Sequence, residues 1–268
     1  MRRSRIAVFV SSILLAVGTA LTGATAAQAS QQAATGSYVA LGDSYSSGVG
    51  AGSYLSASGD CKQSTKAYPY LWAAAHSPST FEFKACSGAR TGDVLANQLG
   101  TLSSATALVS ISIGGNDAGF ADVMTTCVLQ SDSTCLSRIN TAKAYVDSTL
   151  PGQLDNVYSA ISAKAPNARV VVLGYPRFYK LGTTCLGLSE TKRTAINGAA
   201  DYLDTAINKA AANHGFAFGD VRTTFTGHEI CSGSSWLHSV NWLNIGESYH
   251  PTASGQSGGY LPVLAGAV

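Results

Sequence analysis

Charge is scarce in this chain of 268 residues. Lys, Arg, Asp and Glu make up 12% of it, in no long run of one sign. There is also no long low-complexity tract and no fixed-period repeat. These absences leave a nucleic-acid footprint and a repeat architecture without support. C-x-x-C and H-E-x-x-H are both missing, and no histidine clusters with cysteine, so a zinc site has no ligand set. The P-loop Gly-Lys-Ser/Thr is missing too. Gly48-Val49-Gly50-Ala51-Gly52 follows a strand-like run, but G-x-G-x-x-G fails at Ser53. The segment is expected to be a flexible loop lining a cleft. No cofactor, metal or organic, is expected.

What is present begins with a leader. Arg2, Arg3 and Arg5 precede a mostly apolar run from Ile6 to about Leu21, and Ala27-Gln28-Ala29 has the A-x-A form. The run is shorter than the ~20 apolar residues of a membrane span. A signal peptide over 1–29 is therefore expected, with residues up to 34 open to further trimming, and not a membrane anchor. Removing 29 residues from 268 leaves 239, enough for one α/β domain with a sizeable core. The 17 basic residues fall to 14 without the leader arginines, against 15 acidic, so the basic balance belongs to the leader.

Six cysteines in an exported chain point to three disulfides. Cys127 and Cys135 flank the polar stretch 130–134 and are expected to staple it as a loop. Cys61 with Cys86, and Cys185 with Cys231, complete a pairing without nesting. A catalytic cysteine does not fit this compartment.

Apolar runs at Tyr38 to Leu41, Ala107 to Ile113 and Arg169 to Gly174 read as buried parallel strands. Thr80 to Ala85 alternates with period two, and Phe216 to Val221 supplies a fifth strand. Helices are expected from Tyr68, over Asp93 to Leu99, Leu136 to Thr149 and Pro151 to Lys164, from the Ser189 cap to about Asn213, and at the C-terminus. Strands alternating with helices imply a parallel sheet covered on both faces, with its strand ends on one edge.

Three of those ends are polar and glycine-rich: Gly42-Asp43-Ser44, Ser87-Gly88-Ala89 and Gly114-Gly115-Asn116-Asp117. Alone, Gly-Asp-Ser is the chemistry of a capped turn. Together the ends offer what acyl transfer needs. Ser44 supplies a hydroxyl. The backbone N–H groups of Ser44 and Gly88 and the Asn116 amide supply oxyanion donors, and His250, held by His-Pro, a base.

Their order and spacing resemble the SGNH, or GDSL, esterases and lipases. That family carries Gly-Asp-Ser, a glycine after the second strand, G-x-N-D, and D-x-x-H near the C-terminus, here Glu247-Ser248-Tyr249-His250. With the leader and six cysteines, the chain is most similar to secreted lipases of that family. The resemblance implies a three-layer α/β/α sandwich, flavodoxin-like, with a five-stranded parallel sheet of order 2-1-3-4-5. It implies Ser44 as nucleophile, His250 as base, and Ser44, Gly88 and Asn116 as the oxyanion hole. The expected protein is a secreted, extracellular hydrolase of lipid esters, monomeric by default. Alternatives are a carbohydrate acetylesterase or phospholipase with the same machinery and, more distantly, a non-catalytic binding protein.

Two positions depart from the pattern. Tyr45 replaces the usual leucine, which should be tolerated. Glu247 replaces the usual aspartate, so either its carboxylate or a backbone carbonyl within Glu247–Tyr249 orients His250; the carbonyl is favoured. Gly255-Gln256-Ser257-Gly258-Gly259 matches the nucleophile-elbow pattern, but no histidine follows Ser257 and no core strand precedes it. His76, His214, His228 and His238 read as structural. Tyr45, Tyr54, Leu55, Ile113 and Phe120 are candidates for an acyl groove.

Overall fold

The computed structural model describes residues 36–268. The leader expected over 1–29, and the residues up to 34, lie outside the described residues. Five strands form the sheet: β1 (Ser37–Gly42), β2 (Phe81–Phe83), β3 (Thr106–Ser112), β4 (Arg169–Leu173) and β5 (Ala217–Gly219). They pair in parallel in the order β2-β1-β3-β4-β5, the flavodoxin-like order expected. Tyr38, Val39, Ala40 and Leu41 of β1 are all buried, as are Val170 to Leu173 of β4. Both faces of these strands are covered, which is why their sequences read as continuous apolar runs.

The main helices are α1 (Ser44–Ser47), α2 (Tyr68–His76), α3 (Phe120–Leu129), α4 (Asp132–Ser148), α5 (Leu150–Lys164), α6 (Glu190–Asn213) and α7 (Leu261–Ala267). α2 packs with α7, and α4, α5 and α6 pack with one another. α6 starts where the Ser189 side chain accepts the Lys192 N–H, and buries a stripe through Ile196, Ala200 and Ile207. It ends beside Gly215 at φ 69°, a left-handed position that glycine takes without strain. Among the described residues no helix is long and apolar enough to cross a membrane.

The three cysteine pairs are those expected: Cys61–Cys86, Cys127–Cys135 and Cys185–Cys231. The stretch between Cys127 and Cys135 differs from expectation. It is not a stapled loop, and α3 was not anticipated at all. Ser131 is a helix cap, accepting from Thr134 N–H, and Asp132 sits in the first turn of α4. Polar residues that resemble a loop are here the favourable N-terminus of a helix. The disulfide therefore ties α3 to α4 across the link at 130 and 131.

The turn at the end of β1 is tightly determined. Gly42 has φ 121°, and a Cβ there would lie 2.4 Å from the Ser112 carbonyl oxygen. The buried Gln98 side chain clamps the same residue: Gly42 N–H donates to Oε1 at 2.7 Å, and Nε2 donates to the Gly42 carbonyl at 2.9 Å. Gln98→Ala strands the Gly42 N–H in the core. Denaturant melts should show a loss of about 2–3 kcal/mol, the scale of an unpaired buried donor plus lost packing.

Candidate active site

β1 delivers Asp43 and Ser44 to the carboxyl edge of the sheet, where open α/β folds bind ligands. Asp43 caps α1 by accepting the Tyr45 N–H at 3.0 Å. It also accepts from Ser112 Oγ at 2.7 Å and from the Tyr175 hydroxyl at 2.5 Å. Burial pushes its carboxyl up to about 6, while those three donors pull it down. The carboxylate form, which all three donors favour, is therefore the form held at neutral pH. The Tyr175 hydroxyl in turn accepts the Gly115 N–H at 3.1 Å. One chain of bonds thus joins the ends of β1, β3 and β4.

Ser44 is buried, and its Oγ lies 2.7 Å from His250 Nε2. His250 Nδ1 lies 3.0 Å from the Ser248 carbonyl oxygen. A carbonyl can only accept, so Nδ1 carries the proton and Nε2 faces the serine hydroxyl as acceptor. Burial holds the imidazole down at about 4, with the Ser248 carbonyl opposing, so it is neutral at pH 7. This pair can pass a proton from hydroxyl to imidazole.

The backbone carbonyl favoured within Glu247–Tyr249 is that of Ser248. The Glu247 carboxylate is turned elsewhere, accepting the Tyr54 hydroxyl at 2.8 Å. The turn is set by Tyr249 at φ 66°, a strained position for a non-glycine residue. Its carbonyl accepts the Tyr45 hydroxyl at 2.8 Å, and its N–H donates to the His238 carbonyl at 3.0 Å.

The other expected donors line the same opening. Ser44, Gly88, Asn116 and His250 all face one cavity. Gly88 has φ 78°, with nothing within 4 Å of a Cβ, so backbone conformation and not space calls for glycine. Cys61–Cys86 anchors this turn from one side. From the other, Asn116 Nδ2 donates to the Ala89 carbonyl at 3.0 Å, which fixes the amide and leaves its second N–H free to point elsewhere. Asp117 binds the Thr91 N–H and hydroxyl. Among the described residues no group of three or more His, Cys, Asp or Glu is arranged to hold a metal ion.

Several expectations are corrected. The loop 48–52 lines neither of the two cavities at Ser44. Gly50 backs His250, with a would-be Cβ 3.0 Å from His250 Cβ and 2.8 Å from the Pro251 carbonyl oxygen. Of the acyl-groove candidates, Tyr45 and Phe120 line cavities at Ser44. Ile113 is core, and Tyr54 binds Gly50 and Glu247. Ser257 is exposed and bonds only Ser254, while the buried Gln256 beside it bonds Tyr68 N–H and the Tyr45 carbonyl. Gly258 and Gly259 let this segment pack on Trp236 and Phe225, so the elbow-like pattern is packing.

The remaining histidines are structural. His76 stacks on Trp72, His228 on Trp236, and His214 meets Asp155. His238 Nε2 bonds the Gly50 carbonyl oxygen at 2.8 Å and so braces the His250 loop. Sequence reasoning missed Gln98, Ser112 and Tyr175. Only Ser112, one of two serines inside the apolar run of β3, carried a hint.

The family model for the GDSL-like lipase/acylhydrolase family matches residues 40–257. The chain belongs to that family. Lipase 1 of Streptomyces coelicolor is 80% identical over 267 residues, covering all of both chains. Among solved structures, the phospholipase A1 of Streptomyces albidoflavus NA297 is 70% identical with TM-score 0.86, covering 87% of this chain and all of its own. The extracellular lipase of Streptomyces rimosus is 67% identical with TM-score 0.85, covering 87% and 100%. As a GDSL family member the chain is an ester hydrolase. In this GDSL protein the acidic residue of the D-x-x-H block, Glu247, bonds Tyr54, and His250 Nδ1 faces the Ser248 carbonyl instead. Glu247→Ala should therefore keep ester hydrolysis within about tenfold of the parent, whereas Ser44→Ala should abolish it, both read as initial rates on one soluble ester. A Glu247→Ala loss as deep as that of Ser44→Ala contradicts the carbonyl assignment.

Proposed function

We propose that this protein is a secreted lipase in which Ser44 attacks the ester carbonyl and His250 is the general base. The observation that carries the reading is the 2.7 Å contact of Ser44 Oγ with His250 Nε2, at the meeting of two largely apolar cavities. Nε2 takes the hydroxyl proton as Oγ bonds to the carbonyl carbon. The developing oxyanion takes hydrogen bonds from the Ser44 and Gly88 N–H groups and from Asn116 Nδ2. His250 then gives its proton to the departing alcohol, leaving an acyl group on Ser44. Water activated by the same imidazole releases the acid. The Ser248 carbonyl holds Nδ1–H throughout, the orienting part that a carboxylate plays in a triad.

Lipid esters suit the surroundings better than sugar esters. Phe120 and Met124 line both cavities, and the larger one opens between Leu129, Trp242 and Ile245. These three are 61%, 71% and 62% exposed, an apolar rim suited to a lipid surface. Glycerophospholipids are a second substrate class, favoured by the relative named phospholipase A1 at 70% identity. A carbohydrate acetylesterase has no use for these apolar walls. Export through a leader over 1–29, cleaved after Ala29, fits a chain whose described cysteines are all paired.

A serine-directed organophosphate should add one adduct, on Ser44, seen by peptide mass. An unlabelled Ser44 in folded protein sinks the reading. The pH dependence follows from the His250 shift. A folded value lowered to about 4 keeps the base neutral well below the ordinary histidine range. The acid limb of kcat/KM assigned to His250 should therefore fall near pH 4, with the fold followed by circular dichroism; a limb near 6.5 contradicts a buried base.

A further inference from the structure

Two cavities meet at Ser44, and they divide the groups that a reacting ester must satisfy. The first, the narrower, is lined by Ser44, Gly115 and Asn116. The second, the wider, is lined by Ser44, Gly88, Asn116 and His250. His250 belongs to the second cavity and not to the first. The walls differ in origin as well. α4 and α6 contribute Ala142, Val146, Ala199 and Leu203 to the first cavity alone, whereas Val240, Trp242 and Ile245 belong to the second alone.

The chemistry fixes which half of an ester enters which cavity. When the tetrahedral adduct collapses, the bond from the carbonyl carbon to the alcohol oxygen breaks. That oxygen must accept the proton that His250 Nε2 took from Ser44 Oγ, so it departs within about 3 Å of the imidazole. The alcohol half therefore leaves on the His250 side. The carbonyl carbon stays bonded to Ser44 Oγ, and its chain extends away from the imidazole, past Asn116. We propose that the first cavity is the pocket for the transferred acyl chain, and that the second holds the alcohol half of the ester. For a glycerolipid, that half is the glycerol with its remaining substituents. The assignment rests on Ser44 as nucleophile and deepens that reading.

Small residues set the length of chain that fits. Ala142 of α4 and Ala199 of α6 are partly buried, and both line the first cavity. A larger side chain at either position fills space that a long chain needs, and leucine is well accepted in a helix. The test uses two substrate series: p-nitrophenyl butyrate, octanoate and palmitate, and the octanoate esters of methanol, butanol and octanol. Ala199→Leu should lower the palmitate-to-butyrate ratio of kcat/KM by roughly tenfold or more, the scale of an overfilled apolar pocket, with the shape of the alcohol series retained. Ala142→Leu should act in the same direction, so the result does not depend on one variant folding. Val240→Phe, in the second cavity, should reshape the alcohol series and leave the acyl ratio as it was.

The opposite pattern, with Ala199→Leu and Ala142→Leu reshaping the alcohol series, overturns the assignment. So does an acyl ratio unmoved in both variants when their thermal midpoints show them folded. Ser44→Ala is run beside them. If it retains activity, the nucleophile reading fails; if it is inactive while the series invert, only the division of the cavities fails.

Discussion

The buried carboxylate of Asp43 is the constraint on which the site depends. It takes donors from α1, from β3 and from Tyr175, two residues after β4, so three strand ends are held to one anion. An ionised group in the core is costly unless its acceptor sites are filled. Here the filling groups are those that position the reaction: Ser112 beside the Gly42 turn, and Tyr175, whose oxygen also holds the Gly115 N–H next to Asn116. Removing any one leaves the charge less well solvated, so the donors support one another.

The histidine side is built differently. His250 has no carboxylate partner, only the Ser248 carbonyl, and burial keeps its imidazole neutral. Orientation comes from backbone geometry. Tyr249 is held at positive φ by the Tyr45 hydroxyl on one side and His238 on the other, and Gly50 closes the back. Tyr45, the residue that departs from the family pattern beside the serine, thus braces the loop that carries the base. Tyr45 fixes the Tyr249 carbonyl and Tyr54 holds the Glu247 carboxylate, and the Ser248 carbonyl between them faces Nδ1.

Much of the fold was legible because it follows from local pattern. Apolar runs without alternation mark strands covered on both faces, and the Ser189 cap and the Pro151 first turn mark helix starts. α3 was not legible. Its residues, Phe120 to Leu129, mix apolar and polar groups with β-branched Val123, Thr125, Thr126 and Val128, and its helical state is fixed by packing against α4 and the Cys127–Cys135 link. Propensity is a weak guide where tertiary contact decides. The stretch around Ser131 failed for a related reason, since cap residues and loop residues are the same residue types.

The sequence alone determined the chemistry on offer: which serine, glycine, asparagine and histidine stand at strand ends, and that parallel strands bring those ends to one edge. That follows from period and connection rules, which are local or topological. Only the tertiary structure decided the partners. The choice of Ser248 carbonyl over Glu247 carboxylate turns on one φ angle and on a tyrosine at position 54 that competes for the acid. The hub at Asp43 needs groups as far apart in sequence as Ser112 and Tyr175. Which residues wall the space beside Ser44 depends on how α3, α4 and α6 pack. Distances of 3 Å between residues 200 positions apart are set by packing, and no sequence period encodes them.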